Sequence, residues 1–122
     1  MNEQQILIGK GEGKVFLNPK YANRHGLIAG ATGTGKTVSL QVLSEGFARI
    51  GVPVFMTDVK GDLSGITQAG KPHPKVDERI EKIAIDDFKF EGFPTVFWDL
   101  FGDQGHPIRT TITDMGPLIL SR

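Results

Sequence analysis

The chain has 122 residues, with 14 basic side chains balanced by 14 acidic ones and no cysteine. That length predicts one domain with a modest core, and zero net charge gives no global argument for nucleic acid or a membrane surface, while leaving room for a local basic groove. The lack of thiols excludes disulfides and cysteine-based metal sites, and with no signal peptide and no apolar run of membrane-spanning length the sequence predicts a soluble, cytoplasmic protein.

Ile6-Leu7-Ile8 and Val15-Phe16-Leu17 are short strand-like runs, and the Gly- and Lys-rich segment Gly9 to Lys14 between them predicts a hairpin turn. Asn18-Pro19 ends that unit. Tyr21 to His25 leads into Leu27-Ile28-Ala29, a short apolar run that suits a buried parallel strand. Leu40, Leu43, Phe47 and Ile50 then fall at helical spacing and predict a helix over 36–50, closed by Gly51 and kept from continuing by Pro53. Val52 to Thr57 is a second apolar run, so the segment reads as a β–loop–α–β unit with a right-handed crossover and a parallel strand pair.

Lys60 to Pro74 reads as a mobile loop. Pro74 is placed to start a helix, with Val76, Ile80 and Ile83 at i, i+4 and i+7. Thr95 to Trp98 reads as a strand ending at Asp99, 102–107 as a turn, and Ile108 to Ile112 as a strand paired back on the previous one. Asp114 suits a helix N-cap ahead of Leu118-Ile119-Leu120, where the chain stops at Arg122. An apolar helical segment with nothing after it to pack against predicts the N-terminal portion of a longer protein. No internal repeat and no low-complexity tract is read from the sequence.

The chemistry concentrates in Gly30-Ala31-Thr32-Gly33-Thr34-Gly35-Lys36-Thr37, the pattern G-x-x-x-x-G-K-[ST] of a phosphate-binding P-loop. Glycines let the backbone curl so that successive N–H groups point at a phosphate, and the following helix adds its unpaired amides and the positive end of its dipole. The pattern predicts the phosphate tail of a nucleotide, bound as its magnesium complex, on Gly30, Ala31, Thr32, Gly33, Thr34, Gly35, Lys36, Thr37 and Val38. Lys36 reaches the β- and γ-phosphates and the Thr37 hydroxyl ligates Mg²⁺. Strand, loop and helix in that order are the context the motif requires.

Such a site needs an acid at the end of a neighbouring strand, and Asp58 and Asp99 both end apolar runs. Asp58 is the stronger candidate for a catalytic role beside Lys36, because its strand follows the P-loop helix directly. The alternative for each is a carboxylate that caps a turn. Neither is followed by Glu, and no Asp-Glu pair of the usual kind is visible. Lys60 and Asp62 flank Gly61 and suit a phosphate, a neighbouring subunit or DNA, or simply a solvated loop. His25, His73 and His106 share no metal-ligand spacing. Arg24, Arg49, Arg79 and Arg109 are arginine-finger candidates in principle only, and Trp98 reads as a core aromatic.

Residues Ala22 to Thr37 closely resemble the HerA-like ATPases of the FtsK/HerA group of P-loop motors, in the branch with a HerA-like helicase C-terminal domain. The resemblance continues through Val52-Pro53-Val54-Phe55-Met56-Thr57-Asp58-Val59-Lys60-Gly61-Asp62-Leu63, Trp98 to Gly102, Gly105 to Arg109 and Gly116 to Leu120, with gaps between Gln68 and Phe93. It implies an α/β, RecA-like P-loop NTPase partial core with parallel strands over 21–122, preceded by a short β-hairpin over 1–20. It further implies ATP and Mg²⁺ as cofactors, DNA as partner, a homo-oligomeric ring of hexameric type, and nucleotide-side placement of Asp58. The family's Asp-Glu strand, sensor residue and trans-acting arginine fall beyond Arg122, which assigns hydrolysis to a longer parent. A nucleotide-binding regulatory module without motor activity is the second expectation. A small-molecule kinase is a weaker third, since no Arg-rich lid is evident.

Overall fold

The structure, a computed structural model, describes residues 5–109. Strands β1 (Ile6–Lys10) and β2 (Lys14–Leu17) form an antiparallel hairpin. Leu7 lies opposite Phe16 and Gly9 opposite Val15, so Ile8 is the extra residue of a bulge. The ladder reaches Lys10 and Lys14, further into the glycine-rich segment than the apolar runs predict, because main-chain pairing asks nothing of the side chains. A short 3₁₀ turn follows over Pro19–Tyr21, capped by the Asn18 side chain on the Lys20 amide at 3.0 Å.

Helix α1 (Lys36–Arg49) begins where the P-loop ends. It closes with Gly51 in the left-handed region (φ 80°), the Gly51 amide donating to Ala48 O and the Val52 amide to Phe47 O at 3.0 Å each. That paired bonding is the glycine helix stop the sequence predicts. The hairpin rests on this helix. A Cβ on Gly46 would lie 2.5 Å from Ile6 Cγ2, and Ile6 is among the most buried side chains described. The mid-helix glycine therefore serves close helix–strand approach.

The predicted apolar stripe of α1 is only partly covered. Leu40 is exposed, whereas Ser44 is buried, its hydroxyl 2.8 Å from Leu40 O and 3.1 Å from Met56 Sδ. Back-bonding to the preceding turn satisfies the hydroxyl and lets this face of the helix carry Met56.

Beyond α1, Leu63 and Ile66 are buried, Ile66 within a 3₁₀ turn over Ser64–Thr67. The Phe93 amide donates to Ile66 O at 2.9 Å and so draws the 91–93 segment alongside. This loop therefore has its own fastening, where the sequence predicts mobility. Helix α2 (Pro74–Ile83) starts at Pro74 as predicted, with His73 as its cap, and ends at Ala84 in the left-handed region (φ 59°).

The parallel pair expected of Leu27-Ile28-Ala29 and Val52 to Thr57 is not found. Both segments lack strand pairing among the described residues, and Leu27, Ile28, Val54 and Phe55 are exposed. A buried parallel pair of apolar strands needs neighbouring strands and helices against its faces, and the described residues supply too little of either. What is established is a small α/β arrangement and not a complete RecA-like core.

A parallel pair occurs elsewhere, between β3 (Trp98–Asp99) and β4 (His106–Pro107). The sequence expects a strand over 108–112 paired back on 95–98. Within the described residues the chain curls through 100–105 and returns in the same direction, with the His106 amide on Phe97 O and the Ile108 amide on Asp99 O, both at 2.8 Å. The six-residue link between these parallel strands is wound around the Asp99 carboxylate. The expected Asp114 cap, the Leu118–Leu120 segment and residues 110–112 lie outside the described residues.

Two stability predictions follow from this packing. Gly46→Ala is expected to destabilise the protein by about 1 kcal/mol net in urea titration, overpacking against Ile6 outweighing the gain in helix propensity. Ala84→Gly is expected to stabilise it by about 0.5–1 kcal/mol in the same assay, by relieving a left-handed Cβ.

Candidate functional site: the phosphate loop and two aspartate-centred turns

The loop between Gly30 and α1 is shaped by two left-handed glycines, Gly33 (φ 82°) and Gly35 (φ 91°), a conformation that side-chain-bearing residues resist. Gly35 is the N-cap of α1 and supplies no side-chain hydrogen bond, so the first amides of the helix are not closed off by a capping group. Space is tight at the loop's entrance. A Cβ on Gly30 would sit 2.6 Å from Thr34 Oγ1.

One carbonyl organises the interior. Ala31 O accepts from the Lys36 ammonium at 2.8 Å and from the Thr34 hydroxyl at 2.7 Å, and more weakly from the Thr34 amide at 3.4 Å. Lys36 is thereby folded back across the loop and not extended into solvent. The Ser39 hydroxyl and amide both donate to Gly35 O and fix the first turn. Thr37 and Val38 are exposed on that turn. All nine predicted P-loop residues thus lie on one continuous loop and helix start. The donors are main-chain amides, an ammonium and hydroxyls; among the described residues no carboxylate is bonded into the loop, and that set suits an oxyanion.

Asp58 is found as a turn centre. Its Oδ1 accepts from the amides of Lys60 (3.1 Å) and Gly61 (2.9 Å), and its Oδ2 from that of Leu63 (2.8 Å). The Leu63 amide, helped by those of Gly61, Lys60 and Asp62, holds this carboxyl below its ordinary value of 3.8. Asp99 repeats the arrangement. Its Oδ2 accepts from Asp103 (2.8 Å) and Gln104 (3.1 Å) and its Oδ1 from Phe101 (3.2 Å), and the Gln104 amide leads in lowering its pKa.

The likeness is written in the sequence, where a repeat went unread. Pro53-Val54-Phe55-Met56-Thr57-Asp58-Val59-Lys60-Gly61-Asp62 and Pro94-Thr95-Val96-Phe97-Trp98-Asp99-Leu100-Phe101-Gly102-Asp103 share Pro, Asp, Gly and Asp at the same offsets. Both glycines are left-handed, Gly61 at φ 80° and Gly102 at φ 76°. The signal lies in the spacing from each aspartate to its glycine, which brings the loop amides around onto the carboxylate.

The two loops differ in what they touch. Gln41, one turn into α1, donates its side-chain amide to Asp62 O at 3.2 Å. Among the described residues no side-chain hydrogen bond from α1 reaches the 99–104 loop, where Trp98 instead meets the His106 ring at 5.9 Å between centroids. Gln41 was not singled out by the sequence, because a lone glutamine on a helix carries no pattern.

The remaining candidates are placed as follows. Arg49 pairs with Glu91 at 2.7 Å and lies 5.6 Å from the Phe93 ring centroid, which occupies it away from any finger role in this conformation. Burial raises the pKa of Glu45, the nearby Arg49 charge opposing the shift and Glu91 adding to it. Trp98 is exposed, contrary to the core position expected of it. His73 caps α2, and no group of three potential ligands gathers anywhere among the described residues. Shallow depressions beside Arg79 on α2 and beside Phe97 and His106 lie away from the P-loop, whose ligand would be gripped by backbone donors and not enclosed in a cavity.

The depressed pKa values set a pH dependence. A carboxyl whose folded-state pKa lies below its unfolded value adds stability that is complete above the unfolded value and lost as pH falls through the folded one. The amide resonances of Gly61, Leu63 and Gln104 are therefore expected to hold steady from neutral pH down to the ordinary aspartate range and to collapse below 3.8, with the Gly61 and Leu63 transitions absent in Asp58→Ala.

A family model described as helicase HerA-like C-terminal matches residues 3–122. Comparison with curated proteins and with solved structures returns no match in either case. The family match spans the hairpin, the phosphate loop and both aspartate turns, and the chain belongs to the HerA-like helicase C-terminal family.

Proposed function

We propose that this chain is the ATP-binding portion of a HerA-like, ATP-dependent DNA translocase or helicase. One observation carries the reading: an uncapped helix N-terminus and a two-glycine curl stand beside an ammonium parked on the Ala31 carbonyl. A triphosphate offers Lys36 a charged acceptor in place of a neutral one, which adds ion–ion attraction to a hydrogen bond whose donor is already charged. The Lys36 ammonium would leave Ala31 O for the β- and γ-phosphates. The amides from Gly33 to Val38 would take the remaining oxygens, and the Thr37 hydroxyl would face Mg²⁺. Catalysis on such a scaffold is positioning and charge neutralisation, with the metal supplying Lewis acidity when bound.

Family membership supports DNA as the polymer acted on and a ring of like subunits as the working assembly. Hexameric order and a cytoplasmic setting belong to the same proposal. Among the described residues no helix is long and apolar enough to cross a membrane.

A second reading has one observation in its favour. Both carboxylates, Asp58 and Asp99, are engaged by loop amides, so neither stands free as a hydrolytic base. That suits a nucleotide-binding regulatory module without turnover. DNA-stimulated ATP hydrolysis, measured on the protein as the cell makes it, separates the two, since a regulatory module shows none.

In the full chain, Lys36→Ala is expected to weaken magnesium–ATP binding by about 10- to 100-fold, the worth of a hydrogen bond to a charged group. Calorimetric titration checks this. Equal affinity in wild type and variant would remove the site.

A further inference from the structure

The sequence expects Asp58 on the nucleotide side in a catalytic role beside Lys36, and in the structure three of the roughly four acceptor positions of its carboxylate are filled by the Lys60, Gly61 and Leu63 amides. What the carboxylate does in this geometry is hold a shape. It fixes the loop from Asp58 to Leu63, whose far end is anchored by the buried Leu63 side chain. The middle of the same loop is tied to the phosphate-loop helix, since the Asp62 carbonyl accepts from Gln41 on α1. Gln41 stands only five residues after Lys36, on the helix whose first turn is the P-loop's own floor. The Met56 thioether, two residues before Asp58, touches Ser44 on the same helix.

Asp99 provides an internal control, because it gathers three loop amides in the same way without a side-chain hydrogen bond from α1 to its loop.

We propose that Asp58 is a positioning residue: it sets the 58–63 loop, and Gln41 couples that loop to the phosphate loop, so that nucleotide at Lys36 is felt at Lys60 and Asp62. This rests on the P-loop reading above. The coupling follows from mechanics. Nucleotide binding orders the N-terminal turn of α1, a helix transmits that order along its length, and the Gln41 bond passes it to a loop already held at both ends. The groups displayed by that loop, an ammonium and a carboxylate on either side of Gly61, then report the state of the phosphate site.

The test is amide hydrogen exchange on the full chain, with and without magnesium–ATP, in samples whose nucleotide affinity is measured in parallel. In wild type, nucleotide is expected to slow exchange at Lys60, Gly61 and Leu63 by about 3- to 10-fold, the worth of one ordinary hydrogen bond. Gln41→Ala is expected to keep nucleotide affinity within about threefold and to abolish that slowing. A merely structural role for the loop would leave the nucleotide response in place. Asp58→Ala is expected to leave the loop amides fast in both states, while Asp99→Ala loosens only its own loop and preserves the response at 60–63. The inference is overturned if wild type binds nucleotide without slowing these amides, or if Gln41→Ala retains the full response. Indifference of nucleotide affinity to Lys36→Ala would instead overturn the site reading, and this inference with it.

Discussion

Helix α1 is the member to which the hairpin, the first aspartate turn and the 91–93 segment are fastened, and its grip on the hairpin depends on a missing side chain. Without a Cβ at Gly46, Ile6 of the hairpin sits directly against the helix backbone. Other faces of α1 hold Met56 through Ser44, Asp62 through Gln41, and Glu91 through Arg49. Hairpin, aspartate turn and the 91–93 segment therefore share one support. The phosphate loop is the N-terminal end of that same support. Burial elsewhere is sparse, with Ile6, Leu63 and Ile66 as the enclosed apolar residues among those described. Arrangement consequently comes less from a continuous core than from contacts to one helix.

Polar bookkeeping explains the loops. Phosphate loop and aspartate turns solve one problem in opposite senses. In the turns, a carboxylate is surrounded by amides that would otherwise face solvent, and the loop is closed by its own anion. In the phosphate loop no side-chain anion is built in, and a carbonyl serves as acceptor for the ammonium that the motif carries. Among the described residues, a loop without its own anion stands beside two that contain theirs, and the proposed ligand site rests on that contrast. It also accounts for the ambiguity of Asp58 in the sequence. A strand-end aspartate before a glycine suits both roles, and only the direction of the following amides separates them.

Much of the local structure was legible because it depends on near neighbours. The hairpin, the start of α1 at Lys36, its stop at Gly51 and the start of α2 at Pro74 follow from turn chemistry, capping and backbone freedom within a few residues. The phosphate loop is legible for the same reason, since its geometry lies in eight consecutive positions. The parallel pairing of Leu27–Ala29 with 52–57 was not reliable as a reading, because an apolar run states a wish for burial without naming what buries it. Trp98 is the same case, an aromatic read as core that stands exposed.

By itself the sequence determined the glycine–lysine motif, the helix that follows it and the family, since each is carried by residue types at fixed short spacing. Tertiary structure alone decided that Asp58 and Asp99 are centres of matching turns, that Lys36 rests on Ala31, and that Gln41 joins the first turn to α1. Those facts depend on where amides and carbonyls point after the chain has folded, and direction in space is not encoded in the order of residues.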